Sequence, residues 1–564
     1  MNTWYFWKSW HPQSRTIYWF LLTVLAALLL YFSYVFFFSP ATVIDWQKIS
    51  NVEKVTVPGE RIRSGLFDFS YTFDNYVVTE SYQGSDIQVP RWPMIIQLAM
   101  VGLSLTVLLV ICSALEGFWF YFGTLVFTGI LISFQFEQLL LFGESDKFGL
   151  ITGLAIFLSS LYYFSKIRPE LGLDIRFMTF GGLILLFGAF LFLTAEVKYP
   201  LAYLVNYGLV APIILSIIFI LILGHVMISF FLKVITRANT ISSSNSIWHF
   251  LLISSIYLAN VFLLHARNAG DINWDILYFN AFFLLVVTTI LGIWDFKERE
   301  TQYASLFPFA PLGAFFYLSL AIICFSTLSY SYAIANDPLT ETFEDAIVFS
   351  QFSYGLLFTG YVIVNFIQPL MDNMQVYRIM YKPTNFPYGT VQIAGLIAVF
   401  AFLLNANMLP FNQAVAGYYN GVADLYRLND NSFVAEQYYK LGDQYGYNNH
   451  RSNYALGALA REQGDGSLAP FYFGEAVKKR PTIYAYVNMG NGLLAKEQFF
   501  DALYSYQEGL EAFTDNPYIY NNLAVAYGKT ALLDSALLYT SRAAEAPETE
   551  EAAITNTLGL IAKN

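Results

Sequence analysis

Four acidic residues between the first two hydrophobic stretches are candidates for carboxylate chemistry. Two carboxylates that face one another can divide general acid and general base roles between them. Residues 67–74, however, alternate aromatic and polar side chains, which predicts a β-strand with its acidic residues on the solvated face. We favour the solvated face over a catalytic cluster for these residues, which are Asp68, Asp74, Glu80 and Asp86.

Ionisable groups at membrane depth are a second source of candidates, because burying them there is costly. His225 lies in the middle of a hydrophobic stretch. A proton relay or ligand site is one interpretation, and a neutral histidine bonded to a neighbouring helix is the one we favour. His265 and Arg267 stand near Asp271 and Asp275 at a predicted outer helix end, where arginine suits an anionic headgroup or phosphate. Ordinary pairing at the membrane interface is the alternative we prefer there.

Motifs of soluble enzymes are absent from the sequence. It contains no phosphate-binding glycine loop, no His-Glu-x-x-His, no Gly-x-Ser-x-Gly and no Cys-x-x-Cys. The five histidines form no ligand set, and both cysteines, Cys112 and Cys324, lie in hydrophobic stretches. We therefore predict no metal and no cofactor. From residue 411 onward the chain carries 17 acidic and 11 basic residues without a basic stripe, which argues against nucleic acid.

The elements that must position these residues are mostly membrane helices. The chain is 56% hydrophobic, 18% aromatic and only 13% charged, a composition typical of multi-pass membrane proteins. Eleven stretches are long enough to span a bilayer. They lie near residues 16–38, 94–115, 117–136, 148–164, 176–195, 203–232, 247–266, 275–294, 309–334, 345–368 and 388–406.

Lysine and arginine are distributed unequally between the two sets of connecting loops. With the N-terminus inside, the inner loops carry 11 of these residues and the short outer loops carry three. Eleven spans then put the C-terminal region outside, in the periplasm of a bacterial inner or plasma membrane protein. A change of one span would reverse that side.

The sequence predicts four regions. Residues 1–38 form an inner segment and the first span, and residues 94–410 form the ten-span bundle. Residues 39–93 form an outer loop. In this loop we expect a small antiparallel sheet resting on the bundle, with a turn at Asp74–Asn75 and a third strand at residues 55–57. Residues 411–564 are water-soluble in composition.

Small residues recur about every 34 positions in that last region. One column is Ala423, Gly457, Gly490, Ala524 and Gly559, and a second is Ala435, Ala469, Ala502 and Ala536. Aromatic residues follow the second column at Tyr439, Phe473 and Tyr506. This period is the signature of a helix–turn–helix array.

In these columns residues 414–564 resemble the tetratricopeptide repeat family, with four repeats and a fifth first helix. The resemblance implies an all-α solenoid with a concave groove that binds peptides or proteins. Tyr438, Tyr472 and Tyr539 form a further column that is expected either to line this groove or to pack between repeats. The fold class is therefore an all-α membrane bundle with a small β-rich loop and a C-terminal solenoid.

Two functions follow, and we favour the first. One is a non-catalytic membrane scaffold, surrounded by lipid, whose repeats bind a protein partner or assemble a larger membrane complex. The other is an enzyme that uses a lipid-linked donor, because the layout is similar to that of membrane glycosyltransferases and glycan ligases or polymerases. That resemblance implies a catalytic aspartate in the first outer loop, for which Asp68 and Asp74 are the candidates.

Overall fold

The computed structural model describes residues 3–39, 44–59, 61–88, 90–238, 246–269, 272, 278–382 and 385–563. Of the residues that the structure describes, 75% are helical. The chain divides into two compact units, each built from two separate segments. Residues 1–40 and 90–421 form the first unit, and residues 41–89 and 422–564 form the second.

The first unit is made of apolar helices. Short 3-10 or π segments lie at Thr3–Ser9, Phe136–Leu139, Tyr163–Ile167, Phe309–Gly313 and Val376–Arg378. The helices are α1 (Pro12–Phe38), α2 (Arg91–Ala114), α3 (Gly117–Ser133), α4 (Phe148–Tyr162), α5 (Leu173–Thr194), α6 (Pro200–Tyr207), α7 (Val210–Leu223), α8 (Val226–Ala238), α9 (Ser246–Asn268), α10 (Ala281–Glu298), α11 (Glu300–Tyr303), α12 (Ala314–Ala333), α13 (Asp337–Met371) and α14 (Tyr388–Asn405).

Ten helical segments of the described chain are long and apolar enough to cross a membrane. That number agrees with an integral membrane protein. Ten of the eleven predicted spans correspond to these segments. The other, 275–294, corresponds to α10, which ends in a turn containing Asp295, Lys297 and Glu298. The number of crossings, and with it the side of the C-terminal region, stays a prediction.

The second unit combines a β-hairpin with consecutive helices. Its strands are β1 (Ile44–Pro58), β2 (Ile62–Ser64), β3 (Phe67–Phe69) and β4 (Thr72–Ile87). Helix α15 (Leu409–Leu428) crosses into it. The others are α16 (Ser432–Tyr445), α17 (His450–Glu462), α18 (Leu468–Val477), α19 (Ile483–Ala495), α20 (Phe499–Ala512), α21 (Pro517–Lys529), α22 (Leu533–Ala544) and α23 (Glu550–Lys563).

The small residues of the repeating columns lie where neighbouring helices approach closely. A Cβ at Gly457 would stand 2.9 Å from the ring of Phe473, and one at Gly490 would overlap the ring of Tyr506. Tyr439, Phe473 and Tyr506 are fully buried. The columns therefore mark contacts in which an aromatic ring fills the space that a small residue leaves.

The hairpin differs from the predicted sheet in its pairing. β1 pairs with β4 in antiparallel register from Ile44–Ile87 to Pro58–Thr72, and β2 pairs with β3. The turn predicted at Asp74–Asn75 is wrong, because both residues continue β4 opposite Thr56 and Val55. The chain reverses instead between β2 and β3, where Gly65 has a φ of 67° that glycine adopts without strain.

Candidate strand-binding site

Three helices of the second unit present an asparagine at the same repeat position. Asn488 lies on α19, Asn522 on α21 and Asn556 on α23, each 34 residues from the next. Thr482 caps the start of α19 and Asn516 caps that of α21, so both helices begin at equivalent points. We call Asn488, Asn522 and Asn556 the asparagine ladder.

Each asparagine of the ladder forms two hydrogen bonds with one residue of β4. Asn556 accepts from the Val78 N–H at 2.7 Å and donates to the Val78 carbonyl at 2.8 Å. Asn522 makes the same pair with Glu80, at 2.8 and 2.7 Å. Asn488 makes it with Tyr82, at 3.1 and 2.9 Å. Three successive repeats thus bind alternate residues of one strand.

The ladder continues the sheet past its edge. Val78, Glu80 and Tyr82 alternate with the residues whose main chain bonds to β1, so their own N–H and C=O groups point away from β1. A carboxamide offers N–H donors and a C=O acceptor, as the peptide groups of a third strand would. The helices therefore satisfy an edge that a two-stranded sheet leaves open.

A second layer of polar groups supports the ladder. Asn521 donates to the Val78 carbonyl at 3.0 Å, and Asn491 donates to the Glu80 carbonyl at 2.8 Å. The Tyr506 hydroxyl donates to Asn491 Oδ1 at 2.6 Å. Counting both layers, eight hydrogen bonds join asparagines to the main chain of β4. A typical intramolecular bond contributes roughly 1 kcal/mol net.

Arg461 and Ser81 extend this network at the α17 end. Arg461 donates to Asn488 Oδ1, and its Nη2 donates to Ser81 Oγ at 2.8 Å. Burial lowers the pKa of the Arg461 guanidinium and raises the pKa of the Tyr82 phenol. At neutral pH the guanidinium stays charged, so Arg461 keeps its donor role, and the phenol of Tyr82 stays uncharged.

Aromatic side chains fix the hairpin next to the ladder. Trp46 of β1 stacks on Tyr484, with ring centroids 5.8 Å apart, and meets Tyr454 edge-on at 5.1 Å. Tyr454 occupies the repeat position 34 residues before Asn488, so a ring replaces the carboxamide there. The strand has Gly84 at this point, and a Cβ on it would lie 3.5 Å from the Cβ of Ala458. Beyond Asn488, the hairpin is thus held by side-chain packing rather than by asparagine hydrogen bonds.

The acidic side chains of the loop that the structure describes do not converge on one site. Asp68 pairs with Arg63 at 3.9 Å and Asp74 with Lys54 at 2.8 Å, and all four side chains are solvent-exposed. Glu80 is buried, which corrects its predicted place on a solvated face. Its carboxylate accepts from Ser50 Oγ at 2.9 Å and lies 3.5 Å from Lys48 Nζ. The side chain of Asp86 lies outside the described residues.

The predicted tyrosine column lies on other helices than the ladder. Tyr438 on α16 stacks on Tyr426 at 5.3 Å, and Tyr539 on α22 stacks on Tyr527 at 5.5 Å. Tyr472 on α18 is partly buried against the core that contains Phe473. These contacts are packing between neighbouring helices, and a role in partner binding stays a prediction.

His265 and Arg267 lie near the end of α9. His265 packs edge-on against Phe349 and Phe402, with centroids 5.5 and 6.1 Å away. The Arg267 guanidinium stands 4.4 Å above the Tyr278 ring. Asp271 and Asp275 lie outside the described residues. The aromatic contacts suit residues at a membrane interface, and a headgroup or phosphate contact stays a prediction.

His225 belongs to a buried polar cluster whose other members were not predicted from the sequence. It stands at the break between α7 and α8, where its Nε2 lies 3.0 Å from the Tyr388 hydroxyl and 3.4 Å from Asp295 Oδ2. Asp295 also contacts Arg299 Nε at 2.9 Å. Its other oxygen accepts from Ser229 at 2.6 Å and from Tyr381 at 2.5 Å.

This cluster balances its own charge. Lys233 lies 2.8 Å from Glu298 and 3.9 Å from Asp295, so two acidic residues face two basic ones. Among the described residues, His225 Nδ1 has no hydrogen-bond partner. The arrangement ties α8 and α10 to Tyr388 at the start of α14 and to Tyr381 in the segment before it.

The ladder could have been predicted from the sequence, but the first column of small residues was aligned in a different register. Asn488, Asn522 and Asn556 recur at 34 residues, and this register aligns Leu558 rather than Gly559 with Ala524. Gly559 instead faces the hairpin, since a Cβ on it would lie 3.1 Å from the Tyr76 carbonyl oxygen.

Comparisons of the chain with protein-family models, with curated proteins and with solved structures found no match.

Proposed function

We propose that this chain is an integral membrane scaffold whose tetratricopeptide-like solenoid binds an extended protein segment through the asparagine ladder. The observation that carries the proposal is the eight asparagine hydrogen bonds to the main chain of β4. Main-chain atoms are common to all sequences, so the same groups can bind a segment of a different protein.

The repeat period supports the solenoid. A 34-residue spacing places Asn488, Asn522 and Asn556 on equivalent helices, as an array of helix pairs requires. In this chain the face carrying the ladder binds residues 72–87, so the first loop is the resident ligand. The lysine and arginine asymmetry supports an extracytoplasmic position for the repeats.

The enzyme alternative gains no support from the loop. A catalytic pair needs carboxylates that share one substrate, whereas Asp68 and Asp74 are exposed and each is paired with a basic residue of the hairpin. The scaffold therefore remains the function that the geometry favours.

The test uses the membrane protein with its hairpin supplied separately. Residues 44–87 are replaced by a glycine–serine linker of equal length, and a fluorescent peptide of residues 44–87 is added to the protein in nanodiscs. We expect saturable binding by fluorescence anisotropy. Circular dichroism checks that the helices persist in the linker variant.

Ladder variants decide whether the asparagines carry this binding. Asn488→Asp, Asn522→Asp and Asn556→Asp together should weaken it at least tenfold, because a carboxylate cannot donate to a main-chain carbonyl. Gln437→Glu, on the exposed surface of α16, is the matched control and should leave the affinity unchanged. Equal affinity for the ladder variant and the control would contradict the proposal.

A further inference from the structure

The tip of the hairpin exposes an unusual amount of apolar surface. Beyond the ladder, residues 61–73 include β2 and β3, and we call them the hairpin tip. Leu66 is 102% exposed, Phe67 67% and Phe69 57%, and the two phenylalanine rings stack 6.1 Å apart. Ile62, Tyr71 and Phe73 are exposed as well.

The exposed area is that of an interface rather than of an ordinary surface. A large aromatic side chain can bury about 150–250 Å², so six large side chains at these exposures present roughly 700 Å². Apolar patches on monomeric proteins reach about 300–600 Å². A standard interface buries about 800 Å² on each partner. The tip alone approaches that requirement.

An apolar cavity opens beside the base of the tip. It lies between the hairpin and helices α20, α21 and α23, and its volume is about 250 Å³. An engineered apolar cavity of about 150 Å³ binds benzene, so this one has room for a phenylalanine ring. We call it the end cavity, and its apolar lining includes Val55, Val57, Val77, Phe499, Val525 and Leu560.

The neighbouring tip and end cavity are complementary in chemistry. One offers stacked aromatic rings, and the other offers a mostly apolar lining with room for one ring. Because both lie at the same end of the hairpin, a two-fold axis can place each tip against the cavity of the other copy at once, in an isologous contact. We propose that the hairpin tip of one copy inserts Phe67 or Phe69 into the end cavity of a second copy and forms a symmetric dimer.

Charge favours a second copy over an anionic membrane as the occupant. The tip carries Arg61 and Arg63 against Asp68, so its net charge is only +1, whereas anionic lipid attracts clusters of about four to eight basic residues. Segments that bind anionic lipid surfaces carry an excess of lysine and arginine. A tip of such low charge does not oppose the approach of another tip and cavity, and the pair Lys529–Glu53, 2.9 Å apart at the cavity rim, adds no net charge.

The test joins two differently tagged chains in nanodiscs that hold more than one copy. Both carry Cys112→Ala and Cys324→Ala, which removes the native thiols. One adds Leu66→Cys in the tip and the other adds Lys529→Cys at the cavity rim. Because each chain has one thiol, a bifunctional maleimide can link tip to cavity only between copies. We expect a product that contains both tags.

Matched variants separate this contact from random collision. Phe500→Cys on α20, at a side chain 78% exposed, replaces Lys529→Cys and should give at least tenfold less product. Phe67→Ser with Phe69→Ser should reduce the tip–cavity product at least tenfold. Phe471→Ser on α18, at a side chain 58% exposed, should not change it.

Three results overturn the proposal. The first is a tip–tip product without a tip–cavity product. The second is equal yield from the tip–cavity and control pairs. The third is an environment-sensitive dye on Leu66→Cys that shifts with added lipid but not with protein concentration, since this assigns the tip to the bilayer. None of these depends on whether the ladder binds other segments, so the failure of this proposal is distinguishable from that of the scaffold.

Discussion

At the scale of single residues, the asparagine carboxamide matches the edge of a β-strand better than other side chains. It places one acceptor and one donor side by side, at a spacing that fits the N–H and C=O groups of one residue. Asn522 uses both in contact with Glu80 and is fully buried. A side chain without the acceptor leaves the buried Glu80 N–H without its partner, and one without the donor leaves the Glu80 carbonyl with Asn491 alone.

Asn522→Asp should therefore destabilise the second unit although it preserves shape. The carboxylate keeps the bond from the Glu80 N–H but turns an oxygen toward the Glu80 carbonyl, which then keeps only its bond from Asn491. That carboxylate oxygen is buried without a donor, and a buried polar group without a partner costs about 1–3 kcal/mol. We expect a fall of that size in the free energy of unfolding, measured by denaturant in detergent. A change below about 0.5 kcal/mol, the range of surface substitutions, would contradict the assigned bonds. Gln437→Glu is the control.

Asp295 is the residue on which the buried cluster of the first unit depends. Its removal by Asp295→Ala leaves Arg299 without its counter-charge close to the break between α7 and α8, whereas Lys233 keeps Glu298. Breaking a buried pair from one side costs about 3–5 kcal/mol. We expect a lower midpoint of thermal unfolding in detergent, monitored by tryptophan fluorescence.

A double variant distinguishes lost charge balance from lost packing. Removing the partner as well, in Asp295→Ala with Arg299→Ala, should cost less than the sum of the two single changes, because no uncompensated buried charge remains. Strictly additive costs would show that the two residues do not interact.

At the scale of elements, the break between α7 and α8 depends on a close approach to α13. A Cβ at Gly224 would lie 2.6 Å from Ser350 Oγ and 2.9 Å from the Ser350 carbonyl oxygen. The second contact is with main chain, which cannot swing aside. The break carries His225 toward Asp295, so Gly224 positions the cluster through the backbone.

Gly224→Ala should thus destabilise the first unit by about 1–3 kcal/mol, the usual cost of overpacking. The control is Gly360→Ala on α13, where a Cβ meets nothing within 4 Å. That change should be neutral or stabilising by about 0.4–1 kcal/mol, because alanine restricts the unfolded chain. Thermal unfolding of both variants in the same detergent gives the comparison, and equal midpoints would refute the close contact.

The elements differ in how far the sequence predicts them. A membrane helix follows from about 20 apolar residues in a row, a local property, so most predicted spans correspond to helices. β4 depends on distant partners, because it pairs with β1 and meets α19, α21 and α23. Asp74–Asn75 therefore favours a turn locally, but long-range pairing with β1 keeps both residues in β4.

The candidate site could be predicted only in part from the sequence, again because it depends on long-range contacts. The 34-residue period predicted helices at equivalent positions, and the columns of small residues predicted where these helices pack together. Which of several periodic columns faces a ligand depends on how far each helix is rotated about its axis, and the period alone does not fix this rotation. Tyr438, Tyr472 and Tyr539 share that period with the asparagines but pack between helices.

At the scale of the whole molecule, the second unit joins segments that are far apart in the chain. Residues 41–89 and 422–564 are separated by most of the membrane helices, yet Asn556 bonds Val78 across 478 positions. Such a unit cannot be completed before both segments exist. The local stability of β4 also depends on the repeat beside each position, because each asparagine of the ladder bonds one residue of β4.

Local exchange along β4 should report that order. With Asn556→Ala in the full chain, the Val78 amide loses its acceptor while Glu80 and Tyr82 keep theirs from Asn522 and Asn488. Amides exchange with solvent when they open locally, and the segments with the fewest bonds open first. Hydrogen–deuterium exchange with residue resolution should show Val78 at least tenfold faster, with Tyr82 unchanged. Asn488→Ala should reverse the pattern, so equal acceleration at both ends in either variant would mean that the hairpin opens as one piece and that the asparagines do not act residue by residue.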